Sequence, residues 1–309
     1  MRILVTGGAG FLGSHLVERL ASDGHTVVAL DNFVTGRASN LIGAMESGRV
    51  TLVEADLIKG IPVGGTFDRI YHLASPASPI DYVELPFETL YVGSDGTRHA
   101  LERATADGAR IMLASTSEVY GDPEVHPQVE SYWGNVNPIG PRSVYDEAKR
   151  YAEALAMAFA RYRNCSVRIA RIFNTYGPRM RRNDGRVIPA FVGQSIAGKE
   201  LTVFGDGSQT RSFCYVDDLI DGFIRLTESE LAEPCNLGNP VEQTILELAE
   251  RVNAIVGNPA GIAHRPLPVD DPTRRRPDIS RAQAELAWKP KVSFEVGLAR
   301  TIDWFQSND

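Results

Sequence analysis

Gly7-Gly8-Ala9-Gly10-Phe11-Leu12-Gly13 decides how this chain folds. It follows the apolar run Ile3-Leu4-Val5 almost directly and leads into an amphipathic stretch, so a strand, a glycine turn and a helix succeed one another. Gly8, Gly10 and Gly13 satisfy a GxGxxG spacing, and Gly7, Gly10 and Gly13 satisfy GxxGxxG. The missing side chains permit a tight turn and let a pyrophosphate approach backbone N–H groups at the positive end of the helix. Asp31 ends the second strand 18 residues after Gly13, where a carboxylate can accept both ribose hydroxyls and repels a 2′-phosphate. The pattern predicts NAD rather than NADP, with Phe11, Leu12 and Asn32 in the same cofactor-binding set as Gly7, Gly10, Gly13 and Asp31. Asp56, closing the third strand beside Leu57, is open to two readings: contact with the adenine amine, or a plain cap on the strand end.

Outward from this turn, short aliphatic runs at 2–5, 26–30, 51–55, 69–73, 111–114 and 166–169 read as strands. Between them, apolar residues recur at helical spacing over 15–21, 89–105 and 145–162. Such alternation builds an α/β fold with a Rossmann-type doubly wound parallel sheet. After Tyr176-Gly177-Pro178 the composition shifts to arginines at 179–186, a helix at 188–197 and a glycine-rich, hairpin-like stretch at 201–207. A helix at 216–227, a strand near 234–237, a helix at 246–256, a proline- and arginine-rich segment at 266–277 and a closing helix at 294–305 follow. The expected division is an NAD-binding domain over 1–175, to which 211–235 returns, and a smaller C-terminal α/β substrate-binding domain over 176–210 and 236–309. Gly193 to Lys199 mimics a P-loop, but Glu200 stands where magnesium needs Ser or Thr, and the stretch reads as a helix ending at Gly198.

At 309 residues the chain is about two domains' worth, at roughly 150 residues each, and can bury a full core. With 43% hydrophobic and 23% charged residues it matches ordinary globular proteins, which excludes wholesale disorder. The net charge of −7 gives no global attraction to nucleic acid or an anionic membrane, so any anion must be met locally. No apolar stretch reaches the ~18 residues that span a bilayer, and the N-terminus enters the first strand without a signal region. Cys165, Cys214 and Cys235 show no CxxC spacing and are odd in number, which fits a reducing cytoplasm and sets aside the formal glycosylation acceptor Asn164-Cys165-Ser166. The six histidines are dispersed without metal spacing, His72 reads as a core residue ending an apolar strand, and no GxSxG elbow suggests a hydrolase.

Tyr145 and Lys149 stand four residues apart, on one helix face. An ammonium stabilises tyrosinate, but bringing a phenol from ~10 to ~7 takes about 4 kcal/mol and requires Lys149 and a nicotinamide charge to act together in a partly dry site. Ala114-Ser115-Thr116-Ser117-Glu118 follows the fifth strand and so lies at the carboxyl edge of the sheet, where open α/β folds bind ligands. Two arginine clusters, Arg179/Arg181/Arg182/Arg186 and Arg274–Arg276, could serve an anionic substrate in this acidic chain or form solvated loops.

Together Gly7, Gly10, Gly13, Asp31, Thr116, Tyr145 and Lys149 resemble the extended short-chain dehydrogenase/reductase superfamily. Longer stretches resemble its UDP-glucuronate decarboxylase family over nearly the whole chain. They are His72-Leu-Ala-Ser-Pro-Ala-Ser-Pro79, Thr116-Ser-Glu-Val-Tyr-Gly-Asp-Pro123, Tyr132-Trp-Gly-Asn-Val-Asn-Pro-Ile-Gly140, Arg171-Ile-Phe-Asn-Thr-Tyr-Gly-Pro-Arg179, Gln209-Thr-Arg-Ser-Phe213 and Asp271-Pro-Thr-Arg-Arg-Arg-Pro-Asp278. A 4,6-dehydratase is similar but carries Asp-Glu where this chain has Ser117-Glu118, so the acid that protonates a departing C6 hydroxyl is missing.

The resemblance implies that Tyr145 takes the C4 hydroxyl proton of UDP-glucuronate while hydride passes to NAD⁺, with Thr116 on the same oxygen. The resulting β-keto acid loses CO₂ into an enolate, which donors stabilise. Glu118 and Arg275, helped by Ser117, surround the carboxylate and protonate C5, and returning hydride gives UDP-xylose and regenerates NAD⁺. Asn174 and Arg211 are implied at the diphosphate and the 201–204 strand, with Thr202 and Phe204, at uracil; Arg182 and Arg275 complete the substrate-binding set. A homodimer through the helices at 89–105 and 145–162 is implied as well, and Ala152, Leu155, Ala156 and Phe159 make the second helix too widely apolar for one buried stripe. The competing expectations are a UDP-glucuronate 4-epimerase and a non-catalytic nucleotide-sugar-binding relative.

Overall fold

A computed structural model describes residues 1–266 and 274–308. Residues 271–273 of the resembling motif lie outside the described residues. Strands and helices alternate as β1 (Arg2–Thr6), α1 (Phe11–Ser22), β2 (Thr26–Asp31), α2 (Ile42–Met45), β3 (Val50–Glu54), β4 (Arg69–His72), α3 (Pro79–Glu84), α4 (Pro86–Tyr91), α5 (Thr97–Asp107), β5 (Arg110–Thr116), α6 (Ser143–Arg163) and β6 (Ser166–Ile172). The chain continues through β7 (Thr175–Tyr176), α7 (Val187–Ile196), β8 (Leu201–Phe204), β9 (Thr210–Ser212), β10 (Cys214–Tyr215), α8 (Val216–Glu228) and β11 (Cys235–Leu237). It ends with β12 (Glu242–Thr244), α9 (Ile245–Val256), β13 (Ile262–Arg265), β14 (Arg274–Arg275), α10 (Ser280–Leu286) and α11 (Phe294–Ser307).

The central sheet has seven parallel strands in the order β11-β6-β5-β4-β1-β2-β3, the doubly wound arrangement expected. Parallel strands covered on both faces read as unbroken apolar runs, and Ile3, Leu4 and Val5 are fully buried. Alternation divides them between two cores. Ile3 and Val5 join Val27, Ala29 and Met112 with Leu16 of α1 and Leu219 of α8, while Leu4 joins Val28, Ile70 and Leu113 with Leu101 of α5 and Ala152 of α6. The winding reverses between β1 and β4, which opens a crevice at the carboxyl ends of the strands.

Several elements differ from the sequence reading. The helix expected over 89–105 is broken by a π turn, Val92–Gly96, between α4 and α5. Gly93 there packs so closely on α6 that a Cβ would lie 2.8 Å from the Ala148 Cβ, and this approach sets the irregularity. The stretch at 201–207 is no hairpin: β8 pairs in parallel with β13, and β9 joins β12 and β14 in another sheet. Left-handed Gly205 and Gly207 turn the chain between them. Helix α10 escaped the periodicity reading because seven residues carry little signal. Gly198, in the left-handed region at φ +65°, follows the end of α7 as expected.

Candidate active site

A cleft of about 1330 Å³ runs from the glycine turn across the sheet edge to β8 and β9. At its first end Gly7 takes φ +70°, and a Cβ on Gly13 would lie 2.0 Å from the Gly7 carbonyl oxygen, so the turn and the close seating of α1 both need glycine. Gly10 caps α1 without a side chain, leaving its amino end bare towards the cleft. Asp31 is buried and accepts from the Ala9 N–H through Oδ2 and the Phe33 N–H through Oδ1, both at 2.9 Å. Burial pushes its carboxyl upward against these hydrogen bonds. The bare helix end, the glycine cradle and a strand-end carboxylate fit a dinucleotide with a free ribose 2′-hydroxyl. Asn32 lines the same wall. Asp56 does cap a short turn, accepting from the Ile58 N–H at 3.1 Å, while also lining the cleft with Leu57.

Midway, α6 presents Tyr145 and Lys149, each 7% exposed. Lys149 Nζ donates to the Ala114 carbonyl at 2.9 Å and lies 5.8 Å from the Tyr145 ring centroid. Burial pushes the Tyr145 phenol up to about 12, opposed by a hydrogen bond with Thr116, and pushes Lys149 down to about 8. The polypeptide alone therefore keeps the phenol protonated, and the lowered value considered from the sequence needs charge from a bound group.

Glu118 sits on the turn Ser117–Tyr120 that follows β5, its N–H donating to Thr116 Oγ1 at 3.2 Å. Its Oε1 accepts from Arg275 Nη1 and its Oε2 from Arg142 Nη2, the latter at 2.8 Å. Arg275 is buried, donates also to the Gly121 carbonyl at 3.0 Å, and is pushed down to about 10 by desolvation. Beneath this turn, Ser115 Oγ donates to Glu153, Arg171 pairs with Glu153 at 2.7 Å and donates to the Tyr120 hydroxyl, and Tyr120 donates to Asn236. A buried network of this kind holds the carboxyl edge of β5 in one arrangement.

The far end is lined by Asn174, Thr202, Phe204 and Arg211. Thr202 is fixed by Gln194, whose Oε1 accepts its N–H at 3.0 Å, and Arg211 donates to the Thr210 carbonyl at 2.9 Å. Arg182, expected at the substrate, is not among the residues that line the cleft. Its Nη2 donates to the Phe305 carbonyl at 2.6 Å and its guanidinium stands over the Phe305 ring, because the carboxyl end of α11 offers a cation partial negative charge. His72, as expected, is a buried core residue held by Thr6 at 2.8 Å and Thr97 at 3.1 Å.

The sequence reading missed Tyr82, Arg142 and Asp81, all lining the cleft; Asp81 pairs with Arg181, and Arg181 and Arg186 line it from the first arginine cluster. For Tyr82 a signal existed, since α3 begins just beyond the carboxyl end of β4. For Arg142 the signal was its place three residues before Tyr145.

The model of the NAD dependent epimerase/dehydratase family matches residues 3–238. The chain is 51% identical over 304 residues to UDP-glucuronic acid decarboxylase 1 of Danio rerio, covering 98% of this chain and 72% of that protein. It is 52% identical over 307 residues to UDP-glucuronic acid decarboxylase 1 of Arabidopsis thaliana, covering 99% and 70%. Among solved structures, the dTDP-glucose 4,6-dehydratase DesIV of Streptomyces venezuelae, with NAD bound, superposes with a TM-score of 0.89 at 30% identity, over 100% of this chain and 98% of that one. The chain thus belongs to the NAD dependent epimerase/dehydratase family and, within it, to the UDP-glucuronic acid decarboxylase family.

Proposed function

We propose that this chain decarboxylates UDP-glucuronate to UDP-xylose through a 4-keto intermediate, with NAD regenerated in each turnover. The observation that carries the reading is the Glu118–Arg275 pair two residues beyond Thr116, in the same cleft as Tyr145. It sets a carboxylate-handling pair beside a phenol suited to alcohol oxidation. NAD⁺, when bound, supplies the hydride acceptor for sugar C4 and a positive charge beside the phenol. Gly7, Gly10, Phe11, Leu12, Gly13, Asp31, Asn32, Asp56 and Leu57 would hold it, together with Tyr145 and Lys149.

Thr116 and Tyr145 grip the C4 hydroxyl, and Tyr145 takes its proton while the Lys149 ammonium offsets the phenolate charge. With a ketone at C4, the C5–C6 bond breaks, its electron pair moves onto the C4 oxygen and CO₂ leaves. The protonated Tyr145 and Thr116 donate to that oxyanion. Arg275 and Glu118, helped by Ser117, hold the carboxylate and then deliver a proton to C5. Asn174 and Arg211 bind the diphosphate, where guanidinium geometry suits phosphate, and Thr202 and Phe204 hold uracil.

The same reading assigns 1–175, with 211–235 returning, to cofactor binding, and 176–210 with 236–309 to the nucleotide sugar. The pairing of β11 with β6 supports the return. A homodimer is part of it, supported by exposed Phe87, Leu90 and Tyr91 on α4 beside exposed Tyr151 on α6. Leu90 and Tyr91 lie within the 89–105 stretch, and Tyr151 within the 145–162 helix, that the sequence puts at the interface. No helix of the described residues is long and apolar enough to cross a membrane, and three buried free thiols support a cytoplasmic setting. The test is incubation with UDP-glucuronate while CO₂ and the sugar product are followed by mass: a pentose with one CO₂ per turnover is expected, and a 4-epimer retaining all its carbon overturns the reading.

A further inference from the structure

Glu118 is gripped from two parts of the chain far apart in sequence. Arg275 comes from β14, and Arg142 stands at the amino cap of α6, where its carbonyl accepts the Tyr145 N–H at 3.2 Å. The Arg142 side chain lines the cleft, 30% exposed against 16% for that of Glu118. We propose that Arg142 is a positioning residue for the decarboxylation half of the reaction: by holding one oxygen of Glu118 it fixes the other towards Arg275 and the sugar carboxylate. The inference rests on the decarboxylase reading given above.

Three features of the site support it. The turn Ser117–Tyr120 is four residues long, and its cap from Thr116 anchors the Glu118 backbone, so the carboxylate at the end of a flexible side chain depends on its own partners. With one guanidinium per oxygen the carboxylate plane is set at both ends; with Arg275 alone it would turn about a single contact. Charge is the second feature. Glu118 and Arg275 alone sum to zero, and Arg142 adds a positive charge beside them that attracts an incoming sugar carboxylate. The third is that Asp146, one helical turn along α6, attracts Arg142 electrostatically. Arg142 thereby ties the turn that bears Glu118 to the helix turn that bears Tyr145, so the groups for the two halves of the reaction share one frame.

The test uses single-turnover reactions of the NAD-loaded enzyme with saturating UDP-glucuronate, absorbance at 340 nm and CO₂ being recorded together for the wild type, Arg142→Gln and Arg142→Lys. In Arg142→Gln, oxidation is expected within about 3-fold of the wild type and CO₂ release is slowed roughly 10- to 100-fold, the scale of one charge-assisted hydrogen bond. Arg142→Lys is expected to recover part of the loss, since an ammonium keeps the charge but not the planar fork. Equal slowing of both steps with no difference between Lys and Gln assigns Arg142 a merely structural role and overturns the inference, as do variants that match the wild type. A wild-type enzyme that releases no CO₂ overturns the decarboxylase reading and this inference with it. Wild-type decarboxylation beside unaffected variants overturns the inference alone.

Discussion

The ring of Tyr82 lies almost parallel to that of Tyr145, with centroids 5.1 Å apart and planes inclined by 11°. Both rings are buried, so the phenol proposed as proton acceptor is pinned between α3 and the sheet edge. Tyr82→Leu should slow formation of the 340 nm signal about 3- to 10-fold, the scale of one aromatic contact, while Tyr82→Phe stays within about 3-fold. Stopped-flow absorbance on the three proteins checks this; equal rates for Leu and Tyr would show that the stack positions nothing.

Tyr145→Phe removes the hydroxyl that touches Thr116 but keeps the ring. Its first proton transfer should fall roughly 10²–10⁴-fold, with no absorbance at 340 nm on the wild-type timescale. A variant that reduces its cofactor at the wild-type rate would remove Tyr145 from the chemistry.

Arg211 and Arg182 should separate cleanly. Arg211 lines the cleft, so Arg211→Ala should weaken UDP binding about 10- to 100-fold by calorimetry. Arg182 caps α11, so Arg182→Ala should leave UDP affinity unchanged and lower stability by about 1 kcal/mol in urea unfolding.

Asp31 predicts the cofactor preference: NAD⁺ should bind at least ~10-fold more tightly than NADP⁺, because a 2′-phosphate would face a buried carboxylate. Titration of both by calorimetry decides it, and equal affinities would contradict the assignment.

His72 makes stability depend on pH. Burial pushes it down to about 3, below the ordinary imidazole value, so the unfolded chain takes up its proton first as pH falls. The sign follows: the contribution is fully present above about pH 6.5 and is lost progressively towards pH 3, to a total on the order of 3–5 kcal/mol. His72→Gln should flatten the fall of the urea midpoint between pH 6.5 and 4 relative to the wild type.

The sheet was legible because its inner strands are buried on both faces and appear as plain aliphatic runs, each close to where the sequence puts it. The glycine turn was legible for a different reason: backbone geometry there excludes side chains, and Gly7 and Gly13 have no substitutes. Tyr145, Lys149 and Thr116 could be found because helix spacing and strand ends fix direction. Arg182 was harder to place, since alternation in an irregular segment does not say which arginine faces inward, and its guanidinium donates to the carboxyl end of α11. Tyr82 and Arg142 act through partners remote in sequence, so their local signals, a place just after β4 and a place three residues before Tyr145, do not name those partners. The π turn was illegible because it arises from α6 pressing on Gly93.

The return of β11 to the edge of β6 also bears on synthesis. A chain still emerging, with residues before 235 outside the ribosome, carries β6 as an open edge strand, and the Asn236 side chain that later meets Tyr120, Gln128 and Asp278 is not yet there. The buried network under Thr116 and Glu118 closes only when that distant segment arrives. Nascent chains therefore complete the cofactor cradle early and the chemical centre late, and a premature stop between β6 and β11 should leave a sticky sheet edge for chaperones to cover.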